Sequence, residues 1–139
     1  MKIILADGTE LNPIIVTGAK NTIHGALRDT LSFVFDGEKG LDELDSIFTE
    51  SACEIITIFE TKDITDAEGN STQEEIEYIH KGYTIRFNLE KNNVISTSAT
   101  VDEEAITVTR ITVSMAQRTY AESKLAENTM LLNELLGGN

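Results

Sequence analysis

Residues 111–136, ITVSMAQRTYAESKLAENTMLLNELL, change period in the middle. Ile111, Val113 and Met115 alternate as a strand with one buried face does, whereas Ala121, Leu125, Asn128, Leu132 and Leu135 recur at steps of four and three, the spacing of one narrow helical stripe. Leu131 and Leu136 widen that stripe. Thr119 and Glu122 fit a capping box, in which hydroxyl and carboxylate satisfy orphan amides of the first turn, and Gly137-Gly138 closes the helix. Ser114 with Gln117 fits the same rule, but the strand pattern up to Met115 favours a start at Thr119. The reading is a strand feeding a C-terminal amphipathic helix over 119–136.

A helix of about five turns is marginal alone in water, so its apolar stripe needs cover. Two arrangements satisfy it. The helix folds back on the chain's own sheet, or it pairs with another copy or another protein. Asn128 favours pairing, because a lone Asn in an apolar seam fixes register and oligomer state.

Outward from the helix, the remaining pattern is of strands and turns. Leu31, Phe33 and Phe35 alternate with Thr30, Ser32 and Val34 as a half-buried strand. Lys2 to Leu5 and Leu11 to Thr17 flank Asp7-Gly8 as a hairpin would, with Pro13 at a strand start or on an edge. Gly18 to Gly25 reads equally as strand or loop. Leu41, Leu44, Ile47 and Phe48 mark a short helix at 41–49, with Asp42 and Glu43 at the positive end of its dipole. Cys53 to Phe59 is almost continuously apolar, the mark of a strand covered on both faces. Glu60 to Glu75 reads as one long polar hairpin tip, and Ile76 to Leu89 as a strand with Ile79, Tyr83, Ile85, Phe87 and Leu89 on one face. Glu90 to Glu104 reads as a polar connection, and Ala105 to Met115 as the last strand. Six or seven strands result. They predict a mainly β fold with some α: a compact antiparallel β-sandwich or barrel over residues 1–115, with one short internal helix and one long C-terminal helix.

At 139 residues the chain has the size of one domain, and 40% hydrophobic content suits a folded one. Its formal charge of −13, from 24 acidic and 11 basic residues, opposes phosphate backbones, so no nucleic-acid partner is expected. No apolar run approaches a bilayer span and no secretory leader is apparent, so no membrane partner is expected either. Synthesis in a bacterial cytoplasm fits this pattern. Cys53 is the single cysteine and its apolar flank marks an inert thiol.

Catalytic constellations are missing. His24, His80 and Cys53 lie in no nucleophile or redox motif, and no glycine-rich phosphate loop occurs. The Asp42, Glu43, Asp45 cluster reads as a solvated helix face. Asp66 to Asn70 lacks the ligand spacing of a calcium loop, Asn70-Ser71-Thr72 reads as a polar turn, and His80-Lys81 as an exposed pair. No catalytic residue, cofactor or metal is predicted.

Four segments carry a resemblance. They are residues 1–11 (MKIILADGTEL), 28–35 (RDTLSFVF) with 41–45 (LDELD), 78–86 (YIHKGYTIR) and 113–122 (VSMAQRTYAE). Together they resemble small uncharacterised proteins encoded by phages and prophages of gut Firmicutes, often among tail genes. Asp29 to Phe35 is also similar to a strand in the β-barrel domains of tail hub proteins. The acidic segment Glu60 to Glu75 is longer than in the proteins it resembles. The resemblance implies a structural, non-enzymatic tail or baseplate component, ending in the virion, with other tail proteins or its own copies as partners in a homo-oligomer. The assembly residues would be Ala121, Leu125, Asn128, Leu132 and Leu135. The alternative is a β module that binds a small ligand or a carbohydrate through Tyr78, Tyr83 and His80. A hydrolase would require His24 and His80 to meet an acid in one cleft.

Overall fold

The computed structural model describes residues 1–97, 101 and 104–135, with the side chains of 96, 97, 126, 130 and 132–134 outside that description. Within it the chain runs β1 (Lys2–Leu5), β2 (Glu10–Leu11), β3 (Ile15–Ile23), β4 (Ala26–Asp36), α1 (Leu41–Ile47), a 3-10 turn (Ala52–Glu54), β5 (Ile55–Thr65), β6 (Ser71–Lys81), β7 (Ile85–Thr97), β8 (Ile106–Ala116) and α2 (Tyr120–Leu135). The eight strands form two antiparallel four-stranded sheets, ordered β2-β1-β5-β6 and β3-β4-β8-β7. The fold is sandwich-like, since both sheets share a single core, rather than one sheet closed on itself.

That core follows from alternation. Ile3 and Leu5 of β1 and Ile56 and Ile58 of β5 face Leu31, Phe33 and Phe35 of β4 and Ile111, Val113 and Met115 of β8. Each such side chain contributes about 1.5–3 kcal/mol on removal from water. Helix α1 adds Leu44, and its C-cap Phe48 places a ring 5.6 Å from Phe33 and 5.9 Å from Phe35. The expected 41–49 helix therefore ends two residues early, with Phe48 turned into the core. Asp45 pairs with Arg86 of β7, so the acidic face of α1 is one of ion pairs and solvent.

The expected opening hairpin is corrected at Pro13. The turn at Asp7-Gly8 exists, with Asp7 accepting the Thr9 amide at 3.0 Å, but β2 is two residues long. The chain then crosses to the second sheet, and Ile15 starts β3. Proline supplies no ladder donor, so pairing breaks there. The ambiguous stretch after Gly18 is strand up to Ile23, closed by a two-residue turn in which His24 (φ 50°) and Gly25 (φ 77°) both take positive φ, as the tightest hairpins require.

Four more expectations are corrected by the ladders. Cys53 belongs to the 3-10 turn, and β5 is covered on one face only, since Ile56 and Ile58 are buried while Ile55 is exposed. The polar segment 60–75 is mostly strand: β5 and β6 pair from Ile55↔Lys81 out to Thr65↔Ser71, leaving 66–70 as the turn. The expected strand from Ile76 to Leu89 is two strands in different sheets, broken at Gly82 (φ 79°). β7 continues to Thr97 through the expected polar connection. The remainder of that connection, 98–100 and 102–103, lies outside the described residues.

Three hairpins thus extend past the core as two-stranded ribbons, one from each of β3–β4, β5–β6 and β7–β8. One glycine is fixed by packing: a Cβ on Gly37 would lie 2.6 Å from Cβ of Thr109, whose carbonyl accepts the Gly37 amide at 2.9 Å.

Candidate functional site

The base of α2 is fastened to both sheets. Three residues after β8 carry the chain to the helix, and each finds a partner. The Gln117 amide donates to the Asp29 carbonyl (2.9 Å) and its Nε2 to the Lys81 carbonyl (3.0 Å). The Arg118 amide donates to the Gly82 carbonyl (2.8 Å), and its guanidinium to Glu54 (2.7 Å). Thr119 and Glu122 form the expected capping box, the Thr119 amide donating to Glu122 Oε1 at 2.8 Å and the Glu122 amide to Thr119 Oγ1 at 3.2 Å.

Beneath that first turn lies Arg28, the hub of the junction. Its side chain is 3% exposed, and it donates Nε to the Ile23 carbonyl (2.7 Å), Nη1 to the Gln117 carbonyl (3.2 Å), and both terminal nitrogens to the Glu122 carboxylate. This bidentate fork fixes orientation as well as attraction. It holds the Glu122 carboxyl down at about 2, with the Thr119 amide adding to the effect, and raises the guanidinium further above its ordinary range. One side chain joins the β3–β4 hairpin, the end of β8 and the start of α2.

Beyond its first turns the described residues of the helix make no such contacts with the sheets. Among its described residues Leu125, Leu131 and Leu135 are 67%, 52% and 84% exposed. Ala121 and Asn128 are also exposed; the side chain of Leu132 and all of Leu136 lie outside the described residues. The long C-terminal helix expected over 119–136 is corrected to a shorter one: α2 runs from Tyr120 to Leu135. Of the expected stripe, the described members Ala121, Leu125, Asn128 and Leu135 are exposed rather than packed on the sheets.

A second feature is a groove of about 340 Å³ at the same end of the molecule, between β3–β4 and the β6–β7 link. His80 and Tyr83 meet there edge to face, ring centroids 5.6 Å apart. Tyr78, on the same strand face as His80, does not line it. Across the groove stand Lys20 and Asp29, directly paired between β3 and β4 with Nζ and Oδ1 3.8 Å apart. Burial pushes the His80 imidazole down, and burial followed by the charge of Asp29 pushes the Tyr83 phenol up. His24 sits in the exposed β3–β4 turn and is not part of this groove, so the two histidines share no cleft.

Arg28, Asp29 and Lys20 were not singled out by sequence reasoning. Asp29 lies in phase with Leu31, Phe33 and Phe35 but beyond the core, where its side chain is 48% exposed.

The other sequence candidates are accounted for locally. Cys53 is buried and its thiol is pushed up to about 12, chiefly by desolvation, which leaves no thiolate near neutral pH. Asp66 Oδ1 accepts the amides of Glu68 and Asn70, both at 2.9 Å, so its carboxylate is spent on the turn. Among the described residues no three carboxylate, imidazole or thiol groups gather as a metal set, and no helix is long and apolar enough to cross a membrane. Compared with protein-family models, with curated proteins and with solved structures, the chain matches none.

Proposed function

We propose that this chain is a non-enzymatic interaction protein that assembles through its C-terminal helix. In this reading the two sheets form a β-sandwich platform over 1–115, and residues 119–136 are the element it presents. The observation that carries it is the contrast within α2. The base is fixed by the capping box and the Arg28 fork, while Leu125, Leu131 and Leu135 stand in water. Exposed leucines on an isolated helix stabilise nothing, whereas the same residues against a second helix gain by burial and by knobs-into-holes packing. The partner favoured is a second copy of the chain, since Asn128 on the exposed surface suits a register-setting pair. The setting proposed is a phage or prophage tail or baseplate, and this part rests on the sequence resemblance alone. In that setting the chain is made in the bacterial cytoplasm and carried in the virion.

Light scattering tests the reading. The wild-type chain is expected to run above its monomer mass, and Leu125→Glu with Leu135→Glu to return it to the monomer while the β domain stays folded. A monomeric wild type, or a double variant that keeps its oligomeric mass, sinks it.

A further inference from the structure

Among the described residues each sheet has two edge strands, and three of the four are blunted. β2 is two residues long and runs into Pro13, β3 sets the charge of Lys20 on the face that it shares with Leu31 of β4, and β7 is interrupted by register shifts at Arg86/Asn88 and Ile95/Thr97. β6 is different. Its eleven residues, Ser71–Lys81, hold no Gly or Pro and pair with β5 without a shift, and Tyr78 and Ile79 are 38% and 57% exposed. The ladder fixes which backbone groups face its open side. Bonded and non-bonded pairs alternate in an antiparallel ladder, and this one is bracketed by the Asp66 amide on the Asn70 carbonyl and the Gly82 amide on the Glu54 carbonyl, both at 2.9 Å. Even-numbered residues of β6 therefore bond β5, and odd-numbered ones turn N–H and C=O outward. The Lys81 carbonyl agrees, since it accepts Gln117 Nε2 at 3.0 Å.

We propose that β6 is an interaction edge for a second copy of the chain, the two strands pairing antiparallel about a two-fold axis at Tyr78. Charge selects this register. A symmetric pair must set odd residues against odd ones, so its axis lies at a residue. Axes at 74, 75, 76 or 77 each bring two of Glu74, Glu75 and Glu77 directly opposite each other or their own copies, which is unfavourable. An axis at 73 or below, or at 79 or above, overlaps five residues of β6 at most. At 78 the overlap is 75–81. Glu75 then meets the partner's Lys81 in each half of the pair, Glu77 meets the partner's Ile79, and Tyr78 meets its own copy.

Charges on an edge ordinarily keep copies apart, and here the glutamates do so in the other long registers while leaving one open. Backbone bonding centres on Glu77 and Ile79, because the Lys81 carbonyl already holds Gln117, and the 75–81 pairs add their opposite charges. The outer ribbon, where Ile64 pairs with Thr72, stays outside the contact. One strand pair is a small interface at the weak end of protein contacts, so it forms at high concentration and leaves the mass of the dilute chain unchanged. The pairing goes beyond assembly through α2 and does not rest on it.

Failure of the helix reading appears in the wild-type mass in dilute light scattering, so the edge is tested in the full chain carrying Leu125→Glu and Leu135→Glu. This parent is followed by sedimentation from about 10 μM to about 1 mM, the range of a weak contact. A monomer at the dilute end and a dimer at the concentrated end are expected, with amide exchange slowing at Glu77 and Ile79 as the dimer forms and unchanged at Gln73. Glu75→Lys or Lys81→Glu, added singly, sets like charges opposite each other in both halves of the pair and is expected to weaken it about ten-fold or more. An equal mixture of the two variants puts opposite charges together again in both halves and is expected to restore the dimer. A parent that stays monomeric, unchanged exchange at Glu77 and Ile79, a single variant that pairs as well as the parent, or a mixture no better than its components overturns the proposal.

Discussion

The β5–β6 hairpin is one pair of strands in two surroundings. From Ile55 to Phe59, β5 has β6 on one side and, from Ile56 on, β1 on the other, and Ile56 and Ile58 are buried. From Thr61 onward it has β6 alone, and residues 61–75 are exposed. The β7–β8 pair repeats the division, with Ile111, Val113 and Met115 buried beside β4 and Val94, Ile95 and Ile106 exposed farther out. The backbone ladder crosses the division unbroken in β5–β6. Hydrogen bonding therefore continues a strand, but only a buried face writes an alternating pattern into its sequence. A two-stranded ribbon is marginal by itself. The outer halves hold their register because the inner halves are anchored.

The largest expected effect lies on the anchored side. Phe33→Ala removes a fully buried ring that also contacts Phe48, and should lower the unfolding free energy by about 3–5 kcal/mol in urea denaturation. A loss under about 1 kcal/mol would mean that the inner halves are not what holds the ribbons, and the division would fail.

The same division explains what was legible. Three buried faces announced their elements in the sequence: Leu31, Phe33 and Phe35, then Leu44 with Phe48, then Ile111, Val113 and Met115. The capping box at Thr119 and Glu122 was legible because it is local chemistry, independent of packing. The outer strands were not legible, because Thr61 to Ile64 and Thr72 to Glu75 have water on both faces and no reason to alternate. The sheet change at Gly82 was hidden for the opposite reason. Ile79, Tyr83, Ile85, Phe87 and Leu89 keep a period of two across it, although β6 and β7 lie in different sheets. Of the candidate sites, the helix could be placed from its pattern but not the exposure of Leu125, Leu131 and Leu135, which depends on tertiary contacts. Arg28 and Asp29 required the β3–β4 register to be seen as a hub and a groove wall.

At the junction of α2 the comparison is sharpened by acid. The Glu122 carboxyl is held at about 2 against an ordinary 4.5, by the Arg28 fork first and the Thr119 amide second. A carboxyl lowered on folding stabilises the folded state above its unfolded pKa and ceases to as pH falls through its folded one. The window runs from about 4.5 down to about 2. Wild type should exceed Glu122→Gln in stability by a constant margin above pH 4.5, and that margin should shrink across the window. Urea midpoints of both chains against pH measure it. A margin independent of pH would mean that the fork contributes shape and not charge.

The smallest effect belongs to the outer ribbon. Ile64 is 42% exposed and pairs with Thr72 where neither β1 nor the second sheet reaches. Ile64→Thr keeps a β-branched side chain suited to a strand, so only a partly wet apolar surface changes. The unfolding free energy should move by no more than about 0.5 kcal/mol, as for surface sites away from caps and cores. The measurement is informative because its failure has a direction. A loss approaching that of Phe33→Ala, and growing with protein concentration, would place the ribbon against another copy, since Ile64 is 42% exposed among the described residues. The ribbons, and not α2, would then be the surface through which copies meet.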